Sequence, residues 1–167
     1  YDEAITIFQP LEVPMQKPNP TITYYNTNSD NFISSTQTVD FTTIQDDFLS
    51  YIPSDGYILD FGCGSGRDSK YFLQVGYRVE PIDGTEEICN IASQYIGIQV
   101  KQMLFLELNK EEEYDGIWAC ASILHLTYEE LKEVLEKMER ALKIQGIIYM
   151  SFKYGCDEGI RGGRFFT

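Results

Sequence analysis

Histidine occurs once in this chain of 167 residues, at His125, and the four cysteines (Cys63, Cys89, Cys120 and Cys156) lie far apart with no C-x-x-C pair. Zinc sites need several nitrogen or sulfur ligands at set spacings, and disulfide frameworks need clustered cysteines in an oxidising setting. Neither has support, no metal is expected, and reduced thiols suit a cytoplasmic chain. No run approaches the ~18 uninterrupted apolar residues of a membrane-crossing helix. No basic-then-apolar leader opens the sequence, so no membrane partner is expected. The first residue is Tyr1 rather than methionine, and the sequence reads as trimmed or as part of a longer product. Basic residues are scarce: 13 Lys and Arg against 26 Asp and Glu give a net charge of -13. Binding to a phosphate backbone depends on clustered cations, so nucleic acid is not an expected partner, although one local basic pocket stays compatible.

What is present is enough for one folded domain, with 43% hydrophobic residues. Residues 1–20 hold four of the six prolines and show no sustained period, which reads as an extended arm or linker before a domain over 21–167. The stretch "TITYYNTNSDNFISSTQTVD" is polar with interspersed aromatics and reads as irregular but packed. From Asp40 a helix is expected, with Phe41, Ile44, Phe48 and Ile52 on one face and Pro53 closing it. Strands and helices then alternate. Strands are expected at 57–61, at "YRVEPID", at 98–102, at "GIWACA" and at "GIIYMSF", with helices at 66–75, 85–95 and 128–143. Thr127 and Glu130 form a capping box for the last helix. This alternation predicts an α/β fold with a mostly parallel, doubly wound sheet. The closing stretch "YGCDEGIRGGRFFT" reads as a loop.

The informative segment is "YILDFGCGSGRDSKYF". Parallel sheets gather ligands at the carboxyl ends of their strands, where the strand order reverses. There Gly62, Gly64 and Gly66 permit positive φ and close approach to a ligand. A tight turn with no ligand is the plain alternative. A dinucleotide fingerprint wants a sixth-position glycine beside a pyrophosphate, and this chain has Arg67 there. Asp83 ends the next strand, 17 residues beyond Gly66, where a ribose partner belongs. A ligand with a ribose and no pyrophosphate satisfies both.

"ILDFGCGSGRDSKYF", followed by "YRVEPIDGT" and "YDGIWACASILHL", resembles class I S-adenosylmethionine-dependent methyltransferases. "SFKYG", "EG" and the terminal "GR.FT" extend the likeness to small bacterial methyltransferases loosely similar to the tellurite-resistance enzymes. The resemblance implies a Rossmann-like sheet in the order 3-2-1-4-5, with the family's C-terminal strand hairpin missing and the domain C-terminally truncated. It implies S-adenosyl-L-methionine as cofactor and S-adenosyl-L-homocysteine as product. Carried over by position, Gly62, Cys63, Gly64 and Gly66 would hold the methionine part, and Asp60 would accept from its ammonium. Asp83 would hold the ribose beside Gly84. Met103, Leu104 and Phe105 would flank the adenine, although many relatives have an acidic residue where this chain has Leu104. Ala119 and Cys120 would line the sulfonium side.

Other residues are read less singly. Arg67 could pair with the cofactor carboxylate, anchor the N-terminal segment, or form a surface ion pair with Asp68. Tyr24 and Tyr25 could face the sulfonium or pack in the core. Trp118 reads as core. His125 stands beyond the fourth strand, as a proton acceptor or as a helix-start residue bonded to backbone. Lys153, Tyr154, Arg161 and Arg164 would make a basic cluster suited to an anionic substrate, or a solvated tail. The leading function is therefore methyl transfer to a small-molecule acceptor. A cofactor-binding interaction module without turnover is the alternative, and a nicotinamide oxidoreductase is disfavoured by Arg67. The sequence leaves the acceptor and the oligomeric state open.

Overall fold

A computed structural model describes residues 19–155 and 157–167. The expected arm over residues 1–20 therefore falls almost wholly outside the described residues, as does Cys156.

The central strand β1, Tyr57–Phe61, alternates its side chains across the sheet. Leu59 and Phe61 enter one apolar cluster, and Ile58 enters another on the opposite face. Strand β1 runs parallel to β2, Arg78–Asp83, and to β4, Tyr114–Ala119. Strand β3, Lys101–Gln102, lies outside β2, and β5, Leu142–Met150, outside β4. The order is β3-β2-β1-β4-β5, as expected, so the direction of winding reverses between β1 and β4.

Helices cover both faces. Against the Ile58 face lie α2, Thr42–Leu49, and α3, Arg67–Gln74, through Phe48, Leu49 and Phe72. Against the Phe61 face lies α5, Tyr128–Ala141, through Val134, Met138 and Ala141. Helix α4, Glu86–Ile96, buries Cys89 and Ala92 beside Cys63 and Val100. The capping box of α5 is formed: Thr127 Oγ1 accepts from the Glu130 amide and Glu130 Oε2 from the Thr127 amide. No helix among the described residues is long and apolar enough to cross a membrane.

Three expectations are corrected. The polar stretch read as irregular is a helix, α1, Pro20–Thr36, kinked at Asn28. Its buried face carries Thr21, Ser29 and Ile33, so apolar periodicity could not reveal it. Its start was marked, since Asn19 Oδ1 accepts from the amides of Thr21 and Ile22 and Pro20 opens the first turn. Next, α5 ends at Ala141 and β5 begins at once, ahead of "GIIYMSF". An irregularity between Tyr114 and Gly116 lets β5 pair on both sides of Gln145, whose φ is 69°. Finally, the closing stretch is not a plain loop. Strands β6, Gly159–Arg161, and β7, Arg164–Phe166, form an antiparallel hairpin. It is a separate two-stranded sheet, so the main sheet still has five strands with β5 at its edge.

One buried carboxylate ties the layers together beneath the glycine turn. Asp68 Oδ1 accepts from Gln45 Nε2 of α2 at 2.5 Å and from Arg67 Nε at 2.9 Å. Its Oδ2 accepts from Trp118 Nε1 of β4 and Arg67 Nη2, both at 3.0 Å. The Arg67–Asp68 pair, one of whose readings was a surface bridge, is thus mostly enclosed, and the Arg67 guanidinium also lies 4.3 Å over the Phe41 ring. Removing one partner of such a pair strands the other charge in a poorly solvated place. Asp68→Ala should lower unfolding stability by about 3–5 kcal/mol, read as a drop in urea midpoint. A loss under about 1 kcal/mol, the range of exposed pairs, would show that the network contributes little.

Candidate active site

A cavity of about 750 Å³ opens at the carboxyl ends of β1 and β4, beneath α1. Its floor is the glycine turn. At Gly62 (φ 89°) a Cβ would stand 2.5 Å from the Ser122 Cβ, and only glycine lets the turn after β1 pass the turn after β4. Gly66 (φ 76°) answers to a different neighbour: a Cβ there would meet the Ile96 side chain of α4 at 2.6 Å. Gly66 therefore serves the packing of α3 on α4, and it does not line the cavity.

Asp83, at the end of β2, faces the cavity. Its Oδ2 accepts from the Gly64 amide at 3.1 Å and its Oδ1 from the Thr85 amide at 2.9 Å. Burial pushes its carboxyl above the ordinary range, while those amides pull it back. Beside it, Gly84, Met103, Leu104, Phe105 and Ile88 make an apolar wall. Cys63 and Cys120 also line the cavity. Burial raises both thiols above their usual pKa, so they stay protonated and act as wall rather than nucleophile.

Asp60 and Ala119 stand behind this surface. Ala119 is fully buried in the core. Asp60 is 1% exposed and accepts from Ser69 Oγ at 2.5 Å, which turns it toward the start of α3. Burial first, then the neighbouring Asp68 carboxylate, push its carboxyl above the ordinary range. Trp118 is fully buried and stacked on Tyr149, with centroids 4.0 Å apart, and belongs to the core.

Across the cavity stands a pair that sequence spacing could not join. Tyr25 Oη of α1 and His125 Nε2 are 3.0 Å apart, and His125 Nδ1 lies 2.6 Å from the Phe165 carbonyl of β7. A carbonyl can only accept, so Nδ1 carries the ring proton and Nε2 of the neutral imidazole accepts the Tyr25 hydroxyl. Burial pushes His125 below its usual pKa, and the nearby charges of Arg164 and Lys153 act in the same direction. Both rings line the cavity. The turn leading to His125 is strained, since Ala121 sits at φ 50° with its amide donating to Ser151 Oγ.

The structure thus gathers Gly62, Cys63, Gly64, Arg67, Asp83, Gly84, Met103, Leu104, Phe105, Cys120, Tyr25 and His125 around one space, and leaves Asp60, Gly66 and Ala119 outside it. Sequence reading missed Ile22 and Phe32, because α1 was not read as a helix, and Ser122 and Ser151, small polar residues in turns without a spacing signal.

Residues 58–146 match the methyltransferase domain family. The chain is 28% identical over 138 residues to the YqeM protein of Bacillus subtilis (strain 168), which carries a methyltransferase name, covering 68% of this chain and 56% of that protein. It is 34% identical over 100 residues to N-terminal Xaa-Pro-Lys N-methyltransferase 1 of Bos taurus, covering 55% and 45%. The chain thus spans about half the length of these curated relatives. Among solved structures it superposes on TehB from Haemophilus influenzae with a TM-score of 0.59 at 24% identity, covering 72% of this chain and 44% of that one. The [4+2]-cyclase SpnF matches with a TM-score of 0.63 at 18% identity, covering 78% and 60%. These two likenesses concern the fold. The family match covers more than half of the chain and spans β1 through the start of β5, the segment that builds the cavity floor: the chain belongs to the methyltransferase domain family.

Proposed function

We propose that this protein transfers a methyl group from S-adenosylmethionine to a small-molecule acceptor. The observation that carries the proposal is the meeting, in one cavity at the switch point, of the glycine turn, the Asp83 carboxylate and the Tyr25–His125 pair. A volume of about 750 Å³ falls within the ~300–1,000 Å³ typical of small-molecule sites.

The residues present fit the cofactor. Asp83 keeps acceptor capacity for ribose hydroxyls beyond its two amide bonds, since each carboxylate oxygen takes more than one donor. The wall of Met103, Leu104, Phe105 and Ile88 offers an apolar slot for a flat base. Gly62 and Gly64 bare the backbone of the turn. When bound, the cofactor supplies an electrophilic methyl group on a sulfonium. The protein then has two tasks, to align the acceptor and to exclude water. Helix α1 serves the second by covering the cavity with Ile22, Tyr25 and Phe32.

A third task is proton removal from a hydroxyl, amine or thiol acceptor. His125 Nε2 is held as a free base, and Tyr25 Oη bridges it to the cavity. As the acceptor proton passes to Tyr25 Oη, the tyrosine's own proton moves to Nε2, and the Phe165 carbonyl keeps the resulting imidazolium in place. The SpnF likeness warns that this fold also carries other chemistry, so binding and transfer are tested apart.

Calorimetry should show S-adenosylhomocysteine binding at micromolar affinity and no binding of NAD. Asp83→Ala should weaken S-adenosylhomocysteine by about 10–100-fold, the worth of charge-assisted hydrogen bonds; unchanged affinity would remove Asp83 from the ribose site. For His125, the folded pKa lies below the ~6.5 of the unfolded chain. The imidazole is therefore neutral above that value, and both base function and fold stability decline only as pH falls below it. Labelled methyl transfer into a metabolite extract should slow by about 10²–10⁴-fold in His125→Asn and lose its acid limb, with S-adenosylhomocysteine affinity held. An unaltered pH profile would show that His125 is structural.

A further inference from the structure

A second cavity, of about 280 Å³, lies between the end of β5 and the hairpin, lined by Lys153, Asp157, Arg161, Arg164 and Phe166 among others. Its three cations are not alike. Arg161 is answered by Asp157, with Nη2 donating to the Asp157 carbonyl at 3.0 Å and 4.0 Å from its carboxylate. Lys153 has no carboxylate partner among the described residues, and its Nζ rests 4.6 Å over the Phe166 ring. Arg164 has none either. Its guanidinium lies over three rings, 4.6 Å from Tyr24, 5.1 Å from Phe166 and 5.8 Å from Tyr25. Among the described residues its guanidinium makes one long hydrogen bond, 3.4 Å from Nη1 to Tyr25 Oη, and its buried Nε meets no partner.

In an acidic chain, two cations that share one aromatic ring and have no carboxylate partner among the described residues are an arrangement that needs a reason. Aromatic faces hold a guanidinium flat while leaving its N–H edge to bind. That edge matches the paired oxygens of a carboxylate or a phosphate. The backbone that presents it is firmly placed. The Phe165 amide donates to Thr21 Oγ1 at 3.0 Å, the Phe165 carbonyl accepts from His125, and the Thr167 amide donates to the Leu124 carbonyl at 3.0 Å. The linings of the two cavities touch, although no residue lines both. Arg164 touches Tyr25, and Phe166 lies against the His125 ring with centroids 4.8 Å apart.

We infer that Arg164 and Lys153 form an oxyanion subsite that receives the carboxylate or phosphate of the methyl acceptor, anchoring it beside the Tyr25–His125 pair. The inference rests on the methyl-transfer reading for the identity of the anion's owner, but not for the subsite itself. An acceptor held there has its anion outside the main cavity, against the Arg164 guanidinium that reaches Tyr25 Oη. The net negative surface leaves this as a local exception, which selects anions by contact rather than by long-range attraction.

Inorganic phosphate and acetate, titrated separately into the full chain and followed by NMR, test the subsite. At least one should bind saturably, with equal affinity in the absence and presence of saturating S-adenosylhomocysteine. Phosphate alone would assign a phosphoryl acceptor, and acetate alone a carboxylate. Arg164→Gln and Lys153→Gln should each weaken that binding by about tenfold, the loss of one charge-assisted contact. Lys153 rests over a ring, with no hydrogen bond from its side chain to backbone among the described residues, so its variant reads the subsite even if Arg164→Gln loosens the hairpin. Saturable binding by neither anion, or binding undiminished in both variants, would overturn the inference. So would competition of the anion with S-adenosylhomocysteine together with a tenfold loss of its affinity in Arg164→Gln, which would make the anion the cofactor's own carboxylate. If wild-type protein fails to bind S-adenosylhomocysteine while the anion still binds at Arg164, the methyl-transfer reading falls and the subsite stands.

Discussion

Four N–H donors converge on the carboxylate of Asp68, from Gln45, Trp118 and the Nε and Nη2 of Arg67. They come from α2, from β4 and from the first turn of α3, so the bond set fixes where α3 begins relative to the sheet. The glycine turn occupies the few residues between β1 and that beginning, and it has no freedom once both ends are set. Buried charges of this kind are poor sources of net stability, because desolvation opposes the pairing. Their directionality gives position. Here the position defined is the floor of the cavity.

The roof is held by weaker and more varied contacts. Helix α1 meets the hairpin through Thr21 and the Phe165 amide, and meets the turn after β4 through Tyr25 and His125. His125 is bonded on both sides of its ring, which sets its tautomer and leaves the free base aimed at α1. The same strand β7 that orients the imidazole also carries Arg164, whose Nη1 reaches Tyr25 Oη. One short hairpin therefore bears on the chemistry of one cavity and on the charge of the next.

Much of the fold was legible because a buried parallel sheet writes itself as short apolar strands between amphipathic helices. "YILDF" forms a strand with the bounds read from sequence, and "YRVEPID" forms one that begins a residue later, at Arg78. Helix α1 was not legible, because its buried face carries Thr21 and Ser29 where periodicity looks for leucine or isoleucine. The edge of β5 was misplaced, because a bulge at Gln145 looks like the end of a helix. At the site, residues on the turns that follow strands were readable from glycine and aspartate chemistry. The Tyr25–His125 contact spans 100 residues of sequence, and no local signal marks it. Arg67 shows the limit of single-residue reasoning: its guanidinium lines the cavity, yet its bonds run to Asp68.

The proposed reading assigns the floor to the methyl donor, and a crystal structure with S-adenosylhomocysteine tests that assignment directly. The account predicts ribose hydroxyls within hydrogen-bond distance of Asp83, the base against Leu104 and Phe105, and the sulfur on the side of the Tyr25–His125 pair. Density for the ligand elsewhere, or with Asp83 untouched, would contradict it.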